Sequence, residues 1–134
     1  MTISYSGTKS FASEQLKDLF LSVGWSSGHY PEKLAAAMRN SGSVFSAWDG
    51  EKLIGLANVL DDGIMTAYVH YLLVRPDYQH QGIGRKLVEM TREHYKDYLR
   101  IVLVGYNNKL DFYESCGFKA ADGASPMFIT SLWT

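Results

Sequence analysis

Between Val74 and Leu87 the chain reads Val-Arg-Pro-Asp-Tyr-Gln-His-Gln-Gly-Ile-Gly-Arg-Lys-Leu, with Gly82 and Gly84 one residue apart. Glycine permits tight curvature and close backbone approach, so the N–H groups of such a turn can point into one space. A helix starting at the turn adds about half a positive charge at its N-terminus, and Arg85 and Lys86 add formal charge beside it. That pocket suits a pyrophosphate. Two familiar phosphate motifs are excluded by spacing. Gly-x-x-x-x-Gly-Lys-Ser/Thr is absent, and Leu87 stands where a dinucleotide-binding Gly-x-Gly-x-x-Gly needs its third glycine. Just upstream, Tyr68-Val69-His70 places a phenol and an imidazole on one face of a strand by the period-two rule.

The elements that must position these groups follow from the pattern of apolar residues. Thr2 to Tyr5 can open a sheet. Leu16, Leu19 and Phe20 share one face of a helix starting near Ser13 and stopped by Gly24. Pro31 suits the first turn of an Ala-rich helix running to Asn40. Val44–Trp48 and Leu53–Leu60 flank Asp49-Gly50-Glu51-Lys52, a hairpin signal. Met65–Val74 reads as the next strand, ended by Arg75-Pro76. From Gly84 the period becomes helical, with Leu87, Met90, Thr91, His94 and Tyr95 on one stripe. Ile101–Val104 is a short apolar run of the kind covered on both faces. Leu110–Cys116 reads as a short helix closed by Gly117, and Phe118–Ala121 and Met127–Trp133 as a final pair of strands. The order predicts an α/β (α+β) domain, with hairpins first and a parallel β-α-β crossover in the middle.

Composition bounds the class. The 134 residues are 46% hydrophobic and 20% charged, enough apolar material for one core, which excludes disorder and coiled coil. Thirteen Lys and Arg against 14 Asp and Glu leave a net charge of −1, a balance that argues against a nucleic-acid partner. Apolar runs fall far short of the roughly 20 residues that cross a bilayer, so no membrane partner is expected. No secretory signal opens the chain, and the lone Cys116 has no intrachain partner. No Cys/His cluster suggests a metal. These features lead to the expectation of a cytoplasmic single domain over residues 1–134.

Gln79-x-x-Gly82-x-Gly84, after a strand ending Leu72-Leu73-Val74-Arg75-Pro76, resembles the coenzyme-binding motif of the GNAT superfamily of N-acetyltransferases. Asp111-Phe112-Tyr113-Glu114-Ser115-Cys116-Gly117-Phe118 resembles its second signature, a Phe-Tyr-Glu-x-x-Gly-Phe helix end. The two lie in the superfamily's order and spacing, and the resemblance covers most of the chain from about Val44. Within the superfamily the chain is similar to small single-domain members, including arylalkylamine (serotonin-type) enzymes. The resemblance implies a mixed, mostly antiparallel sheet with a splayed central pair of parallel strands, flanked by helices. It implies acetyl-CoA as co-substrate, without a metal, and direct transfer of the acetyl group to a primary amine, here expected to be a small molecule. A protein or peptide acceptor and a non-catalytic acyl-CoA-binding module are the alternatives, and a homodimer is a further possibility.

Residue by residue, the resemblance assigns Leu72, Leu73 and Val74 to strand-like pairing with the pantetheine arm. Gln79 and the run His80, Gln81, Gly82, Ile83, Gly84 and Arg85 belong to the pyrophosphate turn, and Asn107 or Asn108 is a further coenzyme contact. Tyr113 matches the tyrosine that protonates the departing thiolate. No acid occupies the strand before the glycine turn, so His70, with an ordinary pKa near 6.5, is the candidate base, with a water chain as the other route. Trp25, His29, Tyr30 and Tyr68 are expected to line an aromatic acceptor pocket, which favours an aromatic or cationic amine. Trp48 and Tyr71 are expected in the core. Replacing Gly82 with a bulky residue is expected to abolish binding of CoA, whatever the acceptor, as measured by calorimetric titration.

Overall fold

A computed structural model of the chain describes residues 2–134. Five strands form one sheet in sequence order: β1 (Ile3–Ser6), β2 (Ser43–Asp49), β3 (Lys52–Asp61), β4 (Thr66–Val74) and β5 (Arg100–Leu103). The first three pairings are antiparallel and β4–β5 is parallel. Helices α1 (Ser13–Ser22), α2 (Pro31–Asn40), α3 (Ile83–His94) and α4 (Leu110–Ser115) complete the fold, with a 3-10 turn at Ser26–His29.

The sheet separates two cores. Phe11, Leu16, Leu19, Phe20, Leu34 and Met38 from α1, α2 and their approach pack on Val44, Leu53, Leu56 and Leu73. Ile83 and Leu87 of α3 pack on Phe45, Ile54, Ala57, Val59, Val69 and Val74 from the other side. Cover on both faces explains why β3 reads Leu-Ile-Gly-Leu-Ala-Asn-Val, an almost unbroken apolar run, with all seven residues buried.

One polar residue interrupts that run for a reason. Pairing between β3 and β4 proceeds from Gly55↔Val74 to Asn58↔Tyr71 and then jumps to Val59↔Val69. His70 is therefore the extra residue of a β-bulge. Ala67 and Val69 bury on the α3 side, and after the bulge Leu72 and Val74 continue there. The step of three throws both His70 and Tyr71 onto the face covered by α1. The Tyr71 N–H, displaced from the ladder, donates to Oδ1 of buried Asn58 at 3.0 Å. Asn58 Nδ2 donates to Ser41 Oγ at 3.2 Å, and Ser41 Oγ donates to the Ala37 carbonyl at the end of α2.

A second polar peg ties the far end of β3 to α3. Asp61 accepts from the Tyr95 hydroxyl at 2.7 Å, and Tyr95 also meets Ser43. Burial and the Asp61 carboxylate hold the Tyr95 phenol well above the ordinary tyrosine value. Its neighbour Asp62 works locally instead. Its carboxylate accepts from the N–H groups of Ile64, Met65 and Thr66, which lowers its pKa.

The final pair of strands expected over Phe118–Ala121 and Met127–Trp133 does not form. Residues 118–134 carry no strand, so the parallel pair ends the sheet. Apolar alternation supplies a face but no ladder partner. The tail spends its polar groups elsewhere: Thr130 Oγ1 donates to the Leu132 carbonyl and accepts from the Leu132 N–H, a local bond that competes with strand pairing. Met127 and Ile129 are left almost fully exposed, at 92% and 106%.

Asn58→Ala leaves the buried Tyr71 N–H unpaired. It is expected to cost about 1–3 kcal/mol of folding stability, read as a lower denaturation midpoint in urea at unchanged slope.

Candidate active site

The pairing between β4 and β5 covers only Thr66–Val69 against Arg100–Leu103. Beyond it, from the bulge at His70 onward, β4 has β3 on one side and no strand on the other. β5 ends at Leu103, so this edge of β4 has no ladder partner. Along that stretch lie Leu72, Leu73 and Val74, with Leu73 and Val74 buried and Leu72 half-buried. Gln79 Nε2 donates to the Val74 carbonyl at 3.0 Å. This side chain thus closes the turn onto the strand end and occupies that oxygen. Leu73 is spent on Leu56 of β3, which leaves the Leu72 N–H and carbonyl and the Val74 N–H as the open part of the edge.

The open edge runs into the glycine turn. Gly82 is the cap residue of α3 with φ +82, left-handed backbone that a β-carbon disfavours. His80 has φ +64, the only positive φ at a non-glycine residue among the described ones, and such strain persists where a surrounding structure imposes it. The first turn of α3 has no earlier carbonyl to bond; Lys86 is the first N–H to reach back, to the Gly82 carbonyl at 3.0 Å. The amides of Ile83, Gly84 and Arg85 thus begin the helix unspent. The Arg85 guanidinium turns away from the loop and donates to Ser115 Oγ and the Ser115 carbonyl at 2.7 and 3.1 Å. It clamps α4 to α3, which leaves its backbone N–H as its contribution to the turn.

Tyr113 sits on α4, half-buried, with its ring against the end of β5. A β-carbon at Gly105 would stand 2.8 Å from that ring, so the missing side chain at 105 is what lets the phenol lie there. Burial raises the Tyr113 pKa, with Cys116 and Tyr106 adding to the effect. The phenol is therefore protonated at neutral pH and able to donate.

Opposite, aromatic rings form a continuous wall. Tyr68 and His70 lie 5.7 Å apart between centroids, and His70 stacks on Tyr71 at 4.1 Å. Tyr71 meets Trp25 at 6.0 Å, and Trp25 meets Tyr106 at 6.4 Å. Tyr106 precedes the 3-10 turn of Asn107–Lys109, on which Asn107 and Asn108 are both exposed. His70 keeps an edge in solvent, yet the flanking rings desolvate it enough to lower its pKa from 6.5.

The structure thus brings Trp25, Tyr68, His70 and, through Tyr106, Tyr113 to one region. His29 and Tyr30 are exposed at the end of the 3-10 turn and make no ring contact with this wall. Tyr71, expected in the core, does pack on Phe20, but the bulge also makes it part of the site. Trp48 stacks on Phe11 in the core as expected. Sequence reading missed Asn58, Gly105 and Tyr106. The signal for Asn58 was a lone amide in an apolar strand; for the other two, nothing local marks them. A groove of about 590 Å³ lies elsewhere, between α3 and the start of the tail, lined by Glu89, Arg92, Tyr98, Arg100 and Phe118, and holds none of the candidate residues.

The fold is the mixed, mostly antiparallel sheet with one parallel pair that the two motifs implied. Residues 40–120 match the acetyltransferase (GNAT) domain family, more than half the chain. The protein belongs to that family and carries a GNAT acetyltransferase domain. Among relatives, the chain is 34% identical over 119 residues to GCN5-related N-acetyltransferase 2, chloroplastic, of Arabidopsis thaliana, covering 72% of this chain and 46% of the relative. It is 32% identical over 120 residues to histone acetyltransferase TAP1 of Glycine max, covering 79% and 52%. The chain spans about half the length of these curated relatives. A solved GNAT-family acetyltransferase of Streptococcus pneumoniae matches with a TM-score of 0.84 at 27% identity, covering 97% of this chain and 99% of that one. No helix among the described residues is long and apolar enough to cross a membrane.

A histidine whose pKa is lowered on folding binds fewer protons in the native state than in the unfolded one. Its contribution to stability is fully present above pH 6.5 and is lost as pH falls through the lower native value. An NMR titration is expected to place the His70 midpoint below 6.5, and His70→Gln to flatten the acid side of the stability profile.

Proposed function

We propose that the protein transfers the acetyl group of acetyl-CoA to the primary amine of a small molecule. The observation that carries the reading is the unpaired edge of β4 beyond Val69, where β5 ends at Leu103, immediately before the glycine turn. An unpaired strand edge takes an extended ligand arm by main-chain hydrogen bonds, and the open edge at Leu72 and Val74 has that form. The unspent amides of α3's first turn and the strained His80 support pyrophosphate binding at residues 80–85. Asn107 and Asn108 are the proposed further contacts, with Asn107 adjoining Tyr106 and the aromatic wall.

In this mechanism His70 accepts the proton of the attacking amine, whose lone pair forms the new carbon–nitrogen bond to the thioester carbonyl carbon. The backbone N–H of Leu72, which faces away from β3, polarises that carbonyl. Tyr113 gives its proton to the sulfur as the carbon–sulfur bond breaks, and solvent reprotonates the phenolate. Both directions of pKa displacement suit these roles. The raised Tyr113 value keeps a donor loaded, and the lowered His70 value keeps a base unprotonated at neutral pH. Trp25, Tyr68, Tyr71 and Tyr106 offer π-faces to an aromatic or cationic acceptor; His29 and Tyr30 belong to its outer rim.

The name of the soybean relative favours a second reading, a protein acceptor. A non-catalytic CoA-binding module is the third, and Tyr113 with its matching glycine argues against it, because a pure binder has no thiolate to protonate. Exposed Met127, Ile129 and Trp133, and separately a β5 with no outer neighbour, support a homodimer, to be read by light scattering. Cytoplasmic residence belongs to the proposal too, and tagging the full-length protein distinguishes it from the plastid named for the Arabidopsis relative.

A thiol-release assay with acetyl-CoA across arylalkylamines, polyamines, amino acids and aminoglycosides, with CoA calorimetry alongside, tests the reading. Turnover on one amine class supports it. CoA binding with acetylation of histone peptides alone transfers the case to a protein acceptor, and no CoA binding overturns it. Tyr113→Phe is expected to lower kcat about tenfold or more at nearly unchanged CoA affinity; wild-type turnover in that variant removes the acid role.

A further inference from the structure

Thr134 docks back on the 3-10 turn that follows α1. Its main-chain oxygen accepts from the Ser27 N–H and the Ser27 hydroxyl, each at 2.8 Å. Its Oγ1 accepts from the Ser26 N–H at 2.7 Å and donates to Ser26 Oγ at 3.1 Å. Ser27 is buried, at 3% exposure. A serine hydroxyl carries one proton, and here it is spent on Thr134. In the 2.8 Å contact between Ser27 Oγ and the Tyr71 hydroxyl, the phenol must therefore be the donor. The Tyr71 ring is held edge-on by Phe20 at 4.9 Å and flanked by the tilted Trp25 ring at 6.0 Å. His70 lies against that fixed ring, 4.1 Å away and 26° from parallel.

We propose that Ser27 and Tyr71 are positioning residues for the acceptor chemistry, through a relay Thr134–Ser27–Tyr71 that fixes the surface on which His70 stacks. The proposal rests on the reading of His70 as the base. An exposed imidazole on a bulged strand has side-chain rotation to lose, and a misplaced proton acceptor loses rate steeply. Nothing else at His70 supplies a hydrogen bond: no partner for its ring nitrogens is found among the described residues' side-chain bonds, so the stack does the orienting. The relay is fully satisfied and mostly out of water, the condition under which a polar network selects one geometry. It also joins the tail to the site, since Thr134 and the candidate base share one chain of contacts.

The test follows the His70 imidazole protons by NMR in isotope-labelled, CoA-free protein, assigned by their loss in His70→Gln. Stacking on an aromatic ring displaces them upfield. Ser27→Ala touches neither stacked ring, and Tyr71→Phe keeps the ring while removing the phenol. Both are expected to move the His70 signals toward the unstacked position. In the thiol-release assay both are expected to lower kcat/KM for the amine about five- to tenfold, the worth of one net hydrogen bond, with CoA affinity within about twofold. Unmoved His70 signals in both variants overturn the proposal, whatever the activity. Moved signals with wild-type acetylation uphold the relay and remove the base role from His70, so the two readings fail separately. Should Ser27→Ala not fold, Tyr71→Phe decides alone, because it conserves the buried volume.

Discussion

The site depends on one break in a hydrogen-bond ladder. At His70 the pairing of β3 with β4 slips by a residue, and at the same level the pairing of β4 with β5 ends. An N–H expelled from a ladder must find an acceptor when buried, or it costs about as much as a lost hydrogen bond. Asn58 provides that acceptor from inside the neighbouring strand, and Ser41 and α2 fix Asn58 in turn. The slip is thereby a defined state of the sheet. It turns His70 and Tyr71 to one face, and past the end of β5 the unpaired edge at Leu72 and Val74 leads to the glycine turn.

The remaining parts of the site are held by economical devices around that break. Arg85 locks α4 to α3 through Ser115, so the helix bearing Tyr113 is fixed relative to the turn. Gly105 gives the Tyr113 ring room by having no side chain. Desolvation acts on Tyr113 and His70 with opposite effects. It disfavours the charged form of each, raising the pKa of the phenol and lowering that of the imidazole. One physical cause thus favours a protonated phenol and a free imidazole.

The tail shows how far a strand pattern can mislead. Phe118–Ala121 and Met127–Trp133 have the composition of strands, but a strand exists only in a ladder, and no partner is offered to them. Asp61 and Asp62 make the same point within one turn. Adjacent and chemically identical, they have unlike fates: Asp61 takes the phenol of Tyr95 across the α3 core, while Asp62 caps its own loop. Sequence distance carries no information about the first of these contacts.

By itself the sequence determined the elements and the two motifs. Helix and strand periods are local, so α1 to α4, the hairpin and β4 were legible to within a residue or two. The glycine turn was legible because Gly82 and Gly84 make it from adjacent backbone, and Tyr113 because its helix carries a compact signature. Only the tertiary structure decided that Tyr71 serves both the core and the aromatic wall, that Asn58 holds the bulge, and that Trp25 and Tyr106 meet. It alone brought Thr134 back to Ser27. Each of these is a contact between residues far apart in the chain, set by where a ladder slips and what fills the space beside it. A slip of one residue reverses which face every later side chain occupies, and no local pattern in β4 records it.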